Sequence, residues 1–344
     1  MGNGAKQIGK HNYSSDEKRF NFRLVRAGFP CNPSTKNDAG GTPTPEDRGI
    51  LVKTLREPKH ALKPSAFSVQ AAEKWALGRS WKLPEDLFRL TNFCYINFVR
   101  QPALGERKTR YTMKIAQSEN YGICVGLTPV LPDPDPHLVG KDARDILKTR
   151  LYRNYIDRTA FVDLIMGHVS RPADKQIKLD GGVRAKYVAR SQIFADEAET
   201  ILQRKSSRNL RGDKPRVLVI GATAGIIGAL VRRGFEVSAT DLWPEAVGKE
   251  LAGVRVFSGK TASARLMKEA DLTIVTGMTL PNRTLPALMK LAKQHNTSTM
   301  IWAVTGRNFG HYYTEHGVDC VISDPSPFLL LPGPATIAIW RRKK

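Results

Sequence analysis

Three glycines and one acid carry the clearest chemistry in this 344-residue chain. Gly221, Gly225 and Gly228 follow the β-branched run Val217 to Ile220 with G-x-x-x-G-x-x-G spacing, and Asp241 stands at the end of a second strand-like run, Glu236 to Thr240. Strand, glycine turn, helix, strand, acid is the order in which nucleotide folds offer backbone N–H groups and a helix N-terminus to an anionic or polar group. Glycine allows the tight turn and the close approach of a pyrophosphate or an adenosine, and the acid stands where such folds hydrogen-bond a ribose. The competing use of the same glycines is close packing of helix on strand.

A second stretch, Thr276 to Pro286, also follows a strand and opens a helix. Thr279, Asn282 and Arg283 would complete a polar wall there, although Asn282 could equally cap the helix. The glycine spacing is near the dinucleotide fingerprint without matching it, so the cofactor stays open between S-adenosylmethionine and a dinucleotide. Hydride transfer of the short-chain type needs Tyr and Lys four apart, whereas Tyr312 and Tyr313 are followed by His316 and Gly317. That leans the enzyme reading toward a transferase over an oxidoreductase. No nucleophile or general base can be named, and the catalytic residues stay unassigned.

The elements that must position these residues follow from periodicity. From 213 to 344, short buried strands alternate with helices, predicting a doubly wound, Rossmann-like parallel sheet whose ligands lie at the C-terminal strand ends. Residues 66–207 read as a smaller α+β domain. Ser68 caps a helix, Thr109–Ile115 and Tyr121–Leu127 form a hairpin, and 141–169 is helical with a break near Asp157, itself a cap candidate. Tyr187–Arg204 is amphipathic, and a polar linker at 205–213 ends the domain. Residues 1–65 lack a hydrophobic period and read as a flexible polar extension, and Pro129–Pro136 reads as a rigid exposed loop.

Composition narrows the class. With 41% hydrophobic and 25% charged residues, no apolar run long enough for a bilayer and no signal-peptide core, a soluble, cytoplasmic protein without a membrane partner is expected. Its four cysteines are scattered without a C-x-x-C pair, and His311 and His316 are five apart, off the i, i+4 zinc spacing. Near the sheet edge only Asp241 and, less directly, Asp324 offer carboxylates, so no metal site is predicted. The net charge of +22 raises nucleic acid as a partner. The basic residues are spread along the chain and no nucleic-acid motif accompanies them, so that partner ranks below a small-molecule ligand.

The segment from about 216 to 325 resembles a Rossmann-like family of unknown function labelled "Putative heavy-metal chelation". The resemblance is carried by the glycine turn, Asp241, T-G-M-T-L-P-N-R-T-L (276–285), L-M-K-L-A-K (288–293) and G-V-D (317–319). It implies a preceding domain with an enolase-N-terminal-like fold, similar to the hairpin and helices up to Arg204, and a site at the interface of the two. Where the family has a Gly-Pro-Ser-Thr-Pro-like turn, this chain has Thr305-Gly-Arg-Asn-Phe-Gly310, so the anion or metal contact implied there is not expected from the same residues.

Together these readings give a two-domain α/β protein that binds a nucleotide-like or polar ligand in an interdomain cleft and works in small-molecule metabolism. An adenosylmethionine-dependent transferase, a metal-handling or carrier protein and a nucleic-acid-binding protein are the alternatives. The oligomeric state is not legible.

Overall fold

The computed structural model describes residues 20–26, 65–100, 109–126, 136–149, 155–206, 214–324 and 333–343. The N-terminal unit is an antiparallel sheet of β1 (Phe20–Arg26), β2 (Asn92–Arg100), β3 (Thr109–Gln117) and β4 (Tyr121–Gly126), in that order. Within the extension predicted to be flexible, Phe20–Arg26 is thus a strand, paired along its whole length with β2. Two-residue alternation divides the sheet faces. Phe93, Tyr95, Ala116 and Cys124 face the helices, while Cys94, Met113, Ile115 and Ile123 form a second cluster with Val304 of the C-terminal unit.

Helix α1 (Val69–Ser80) begins where predicted, with the Ser68 hydroxyl accepting from the Ala71 N–H at 3.2 Å. After Pro84 a single 3-10 turn follows, Glu85–Phe88. Two helices follow, α2 (Ala143–Lys148) and α3 (Tyr155–Val169). The break therefore lies before Tyr155, and Asp157 is no cap: it sits in the first turn of α3, buried, and pairs with Lys114 of β3. A buried lysine in mid-sheet demands an acidic partner, and the sequence gives no sign of which acid that is. Residues 129–135 of the predicted proline-rich loop and the linker at 207–213 lie outside the described residues.

The C-terminal unit is built on a nine-stranded sheet. In chain order its elements are β5 (Lys175–Leu179), α4 (Val183–Ser206), β6 (Arg216–Ile220), α5 (Ala224–Arg232), β7 (Glu236–Asp241), β8 (Glu250–Leu251), β9 (Val254–Ser258), α6 (Gly259–Glu269) and β10 (Leu272–Thr276). They continue with α7 (Leu285–Gln294), β11 (Ser298–Ala303), α8 (Gly310–Glu315), β12 (Cys320–Ser323) and β13 (Ala335–Arg341). Strand order is β5-β13-β12-β11-β10-β6-β7-β9-β8. β12 through β9 are parallel, while β13 and β5 add an antiparallel edge. The sheet is therefore doubly wound and mostly parallel, as expected. Strand β5 went unassigned in the sequence because Lys175-Gln-Ile-Lys-Leu179 is an edge strand, mostly exposed and without a hydrophobic run.

One apolar core runs through both units. Phe161, Leu164 and Ile165 of α3 share a cluster with Leu266 of α6, Met289 of α7 and Tyr312 of α8. The other sheet face is covered by α4 and α5 through Phe194, Ala198, Ile226 and Leu230. Helix α3 packs closely on β4: a Cβ added at Gly122 would lie 2.1 Å from the Ala160 carbonyl oxygen and 2.2 Å from the Leu164 nitrogen.

Candidate functional site

The chain leaves β6 toward β7 and β9 on one side, then returns through β10 toward β11 and β12 on the other. The order reverses between β6 and β10, and ligands of open α/β sheets bind at the carboxyl end of that switch. Gly221 and Thr276 meet there. Gly221 has φ +90°, and a Cβ on it would come within 2.5 Å of both Thr276 Oγ1 and Cγ2. Gly221→Ala should therefore cost about 2–4 kcal/mol from left-handed strain and steric overlap combined, read as a fall in the urea midpoint. Pairing it with Thr276→Ala should restore only the overlap part, and an unchanged midpoint in the single variant would contradict this reading.

Asp241 is tied into the same turn. Its Oδ2 accepts from the Ala222 N–H at 2.9 Å and its Oδ1 from the Trp243 N–H at 2.9 Å. Burial outweighs these donors and raises its pKa above the ordinary carboxylate value. The Leu242 N–H is a third backbone donor to this carboxylate, which leaves one lone-pair site for a ligand hydroxyl while the group braces the glycine turn. Gly225 and Gly228 have packing roles: a Cβ would meet Ser191 Oγ of α4 at 2.7 Å in the first case and Ala252 Cβ at 3.3 Å in the second.

Thr279 is buried, and its hydroxyl donates to the Thr276 carbonyl at 2.7 Å, which closes the loop after β10. Asn282 is half-buried and does not cap the helix; Thr284 occupies that position. Arg283 is exposed, holds a left-handed φ of +58°, and lays its guanidinium 4.5 Å over the Tyr155 ring of α3. Gly221, Asp241 and Thr279 therefore share one linked edge, while Arg283 turns to the N-terminal unit.

The structure adds a second group of residues on the same edge, at the ends of β11 and β12. The Thr305–Asn308 loop runs along β4, an edge strand whose outward polar groups need partners. Val125 N–H donates to Thr305 Oγ1 at 2.9 Å, Gly306 N–H to the Ile123 carbonyl at 3.2 Å, and Asn308 Nδ2 to the Tyr121 carbonyl at 2.9 Å. Ile123 N–H donates to Asp163 Oδ2 at 2.7 Å, while Asp163 Oδ1 accepts from Asn308 N–H at 2.8 Å. The loop and Asp163 thus fasten the N-terminal sheet over the carboxyl ends of the parallel strands.

Asp163 is fully buried, and burial outweighs its backbone donors Ile123, Asn308 and Arg307, pushing its pKa up to about 8. Between 3.8 and about 8 the unfolded chain is ionised while the folded chain holds the proton. The stability contributed by protonation is therefore complete below that window and is lost as pH rises through it. Asp163→Asn should flatten the pH dependence of the melting temperature between pH 5 and 8. Parallel profiles for the two proteins would contradict the assignment.

Beyond this loop lie two arginines and one acid. Asp324, fully buried, accepts through Oδ2 from Arg190 Nη1 at 2.9 Å and from Trp302 Nε1 at 3.0 Å. Arg190, on α4, is 3% exposed, with its guanidinium 4.5 Å from the Tyr187 ring and 4.9 Å from that of Trp302. Arg307 sits 4.0 Å over the Tyr121 ring; burial lowers its pKa to about 10, and the charge of Asp324 opposes that shift. Among the described residues the Nε of Arg190 and the Nε and Nη1 of Arg307 are buried without a hydrogen-bond partner. Arg190 and Arg307 were not singled out as site residues, because in a chain with 54 Lys and Arg neither position carries a local signal.

Among the described residues no group of three or more His, Cys, Asp and Glu side chains is placed to hold a metal ion. Cys124 and Cys320 are buried thiols, and burial raises the pKa of both, against metal-binding thiolate. The described residues do not fit a resident heavy metal. A cavity of about 330 Å³ opens at the opposite, amino ends of β11 and β12, between Lys293, Ser298, His316 and Arg342. That is away from the strand ends where such sheets bind ligands. No helix among the described residues is long and apolar enough to cross a membrane.

Fold and edge together define a Rossmann-like α/β protein whose strand ends are covered by an antiparallel second unit. Residues 208–305 match the DUF364 family model, described as "Putative heavy-metal chelation", the same family that the sequence resembles. Solved structures similar to the chain include a DUF364 protein of unknown function from Desulfitobacterium hafniense, at 14% identity and TM-score 0.43 over 78% of this chain and 98% of that one. Another is a DUF364 protein of unknown function from Pyrococcus horikoshii, at 13% identity and TM-score 0.40 over 80% and 99%. A UDP-D-quinovosamine 4-dehydrogenase from Vibrio fischeri is similar at 16% identity and TM-score 0.22 over 26% and 79%. The search of curated proteins returned no match.

Proposed function

We propose that this protein binds a small polar ligand of nucleotide-like outline at the seam between its two units and acts on it as an enzyme of small-molecule metabolism, in group transfer and not in hydride transfer. The observation that carries the reading is the covering of the strand ends. β4 and α3 are hydrogen-bonded to the loop that follows β11, at the edge where doubly wound sheets hold their ligands. In this reading the turn at Gly221 offers backbone N–H groups and Asp241 takes a ligand hydroxyl with its remaining lone pair. Thr279, Asn282 and Arg283 line the approach. Gly225 serves by setting α5 close against α4, and Gly228 by letting α5 approach Ala252.

Equilibrium dialysis of the full chain against S-adenosylmethionine, NAD and NADP tests the reading, with Asp241→Ala as the site variant. Saturable binding of one of these, weakened at least about tenfold in the variant, is the expected result. Failure of all three to bind would sink the nucleotide reading, and undiminished binding by Asp241→Ala would remove Asp241 from the site.

A further inference from the structure

We infer that Arg190 and Arg307 form a seat for the carboxylate or phosphate group of an acidic small molecule, at the end of the seam farthest from the glycine turn. The charge count points there first. Among the described residues two guanidinium groups share one carboxylate, that of Asp324, which leaves one positive charge over in a buried place. A buried charge without a counter-charge is costly, and proteins keep one where an anion completes it.

Hydrogen bonding says the same independently. Arg190 spends Nη1 on Asp324, and its Nε has no partner among the described residues. Arg307 has both Nε and Nη1 buried and unused there. Three charged N–H-bearing nitrogens are therefore withdrawn from water with nothing among the described residues to receive their hydrogens. They lie on two side chains whose planar heads match carboxylate and phosphate oxygens.

The surroundings suit a binding site. The rings of Tyr121, Tyr187 and Trp302 lie within 4.0–4.9 Å of the guanidinium carbons, fixing their planes and keeping water off them. The Asp163 carboxylate accepts from the backbone N–H of Arg307 and of Asn308, so the loop that carries Arg307 is held before any ligand arrives. Arg307 also stacks across the boundary, since Tyr121 belongs to the N-terminal sheet, and an anion there would bind at the seam itself. The inference rests on the proposed reading only in taking the anion to be one end of that seam's ligand; the seat for a free anion stands without it.

Calorimetric titration of the full chain with sodium phosphate, and separately with sodium malonate, at constant ionic strength tests the seat. Wild type should bind at least one of the two saturably, with Arg307→Gln weaker by about tenfold or more and Arg265→Gln, at an exposed position, unchanged. Should Arg307→Gln fail to fold, Arg307→Lys keeps the charge, loses the planar head, and should still bind more weakly than wild type. Equal binding by wild type and the Arg307 variant, or no saturable binding of either anion by folded wild type, would overturn the proposal. The outcome is separable from that of the nucleotide test. Anions bound through Arg307 with no nucleotide bound would keep the seat and discard the nucleotide, and nucleotide lost in Asp241→Ala with no anion effect would do the reverse.

Discussion

Gly122→Ala should destabilise the protein by about 3 kcal/mol or more, the largest effect expected of any single methyl group added to it. The added carbon would stand 2.1 Å and 2.2 Å from backbone atoms of Ala160 and Leu164, which cannot rotate aside as a side-chain tip can. Relief requires α3 to move off β4 as a body. That movement would lengthen the Asp163 bond to Ile123, now 2.7 Å, and pull α3 from the core it shares with α6, α7 and α8. Urea unfolding followed by circular dichroism should show a midpoint well below wild type. A midpoint within error of wild type would mean that the packing of α3 on the sheet is looser than described.

Asp324→Ala should be nearly as severe, at about 3–5 kcal/mol. Its loss leaves the Arg190 guanidinium, 3% exposed, without its ion-pair partner and takes the acceptor from Trp302 Nε1. Asp324→Asn keeps an acceptor and should fall between Asp324→Ala and wild type. Thermal melts of the three proteins in low-anion buffer would measure the order. If Ala and Asn were equally mild, the arginines would have to be reaching solvent.

Much of the architecture was legible because it depends on local pattern. Leu272–Thr276 is five buried residues in a row, a largely apolar run whose length and type suit the strand it forms. Ser68 caps its helix because a hydroxyl at that position satisfies a free N–H whatever the tertiary context. Where pattern and packing part, the reading shifted. Gly225 reads as a ligand glycine, yet a Cβ on it would meet Ser191 of α4, which precedes it in the chain by the rest of that helix and the whole of β6. Asp157 looked like a cap because acids favour helix starts, but its partner is Lys114 across the sheet.

The candidate site divides along the same line. Gly221, Asp241 and Thr279 could be found in the sequence because each stands at the end of a strand, in the β6-to-β7 unit or the turn after β10, and such units recur with recognisable spacing. Arg190, Arg307 and Asp324 come from a helix, a loop and a strand end that are far apart in the chain. Only the sheet order, which sets β12 beside β11 and α4 across their ends, brings them together. The sequence by itself determined a parallel sheet with a glycine turn at its carboxyl edge, since hydrophobic period and glycine spacing are short-range properties. The tertiary structure alone decided which polar groups are left buried without partners on that edge, because burial and pairing are set by neighbours that no local spacing encodes.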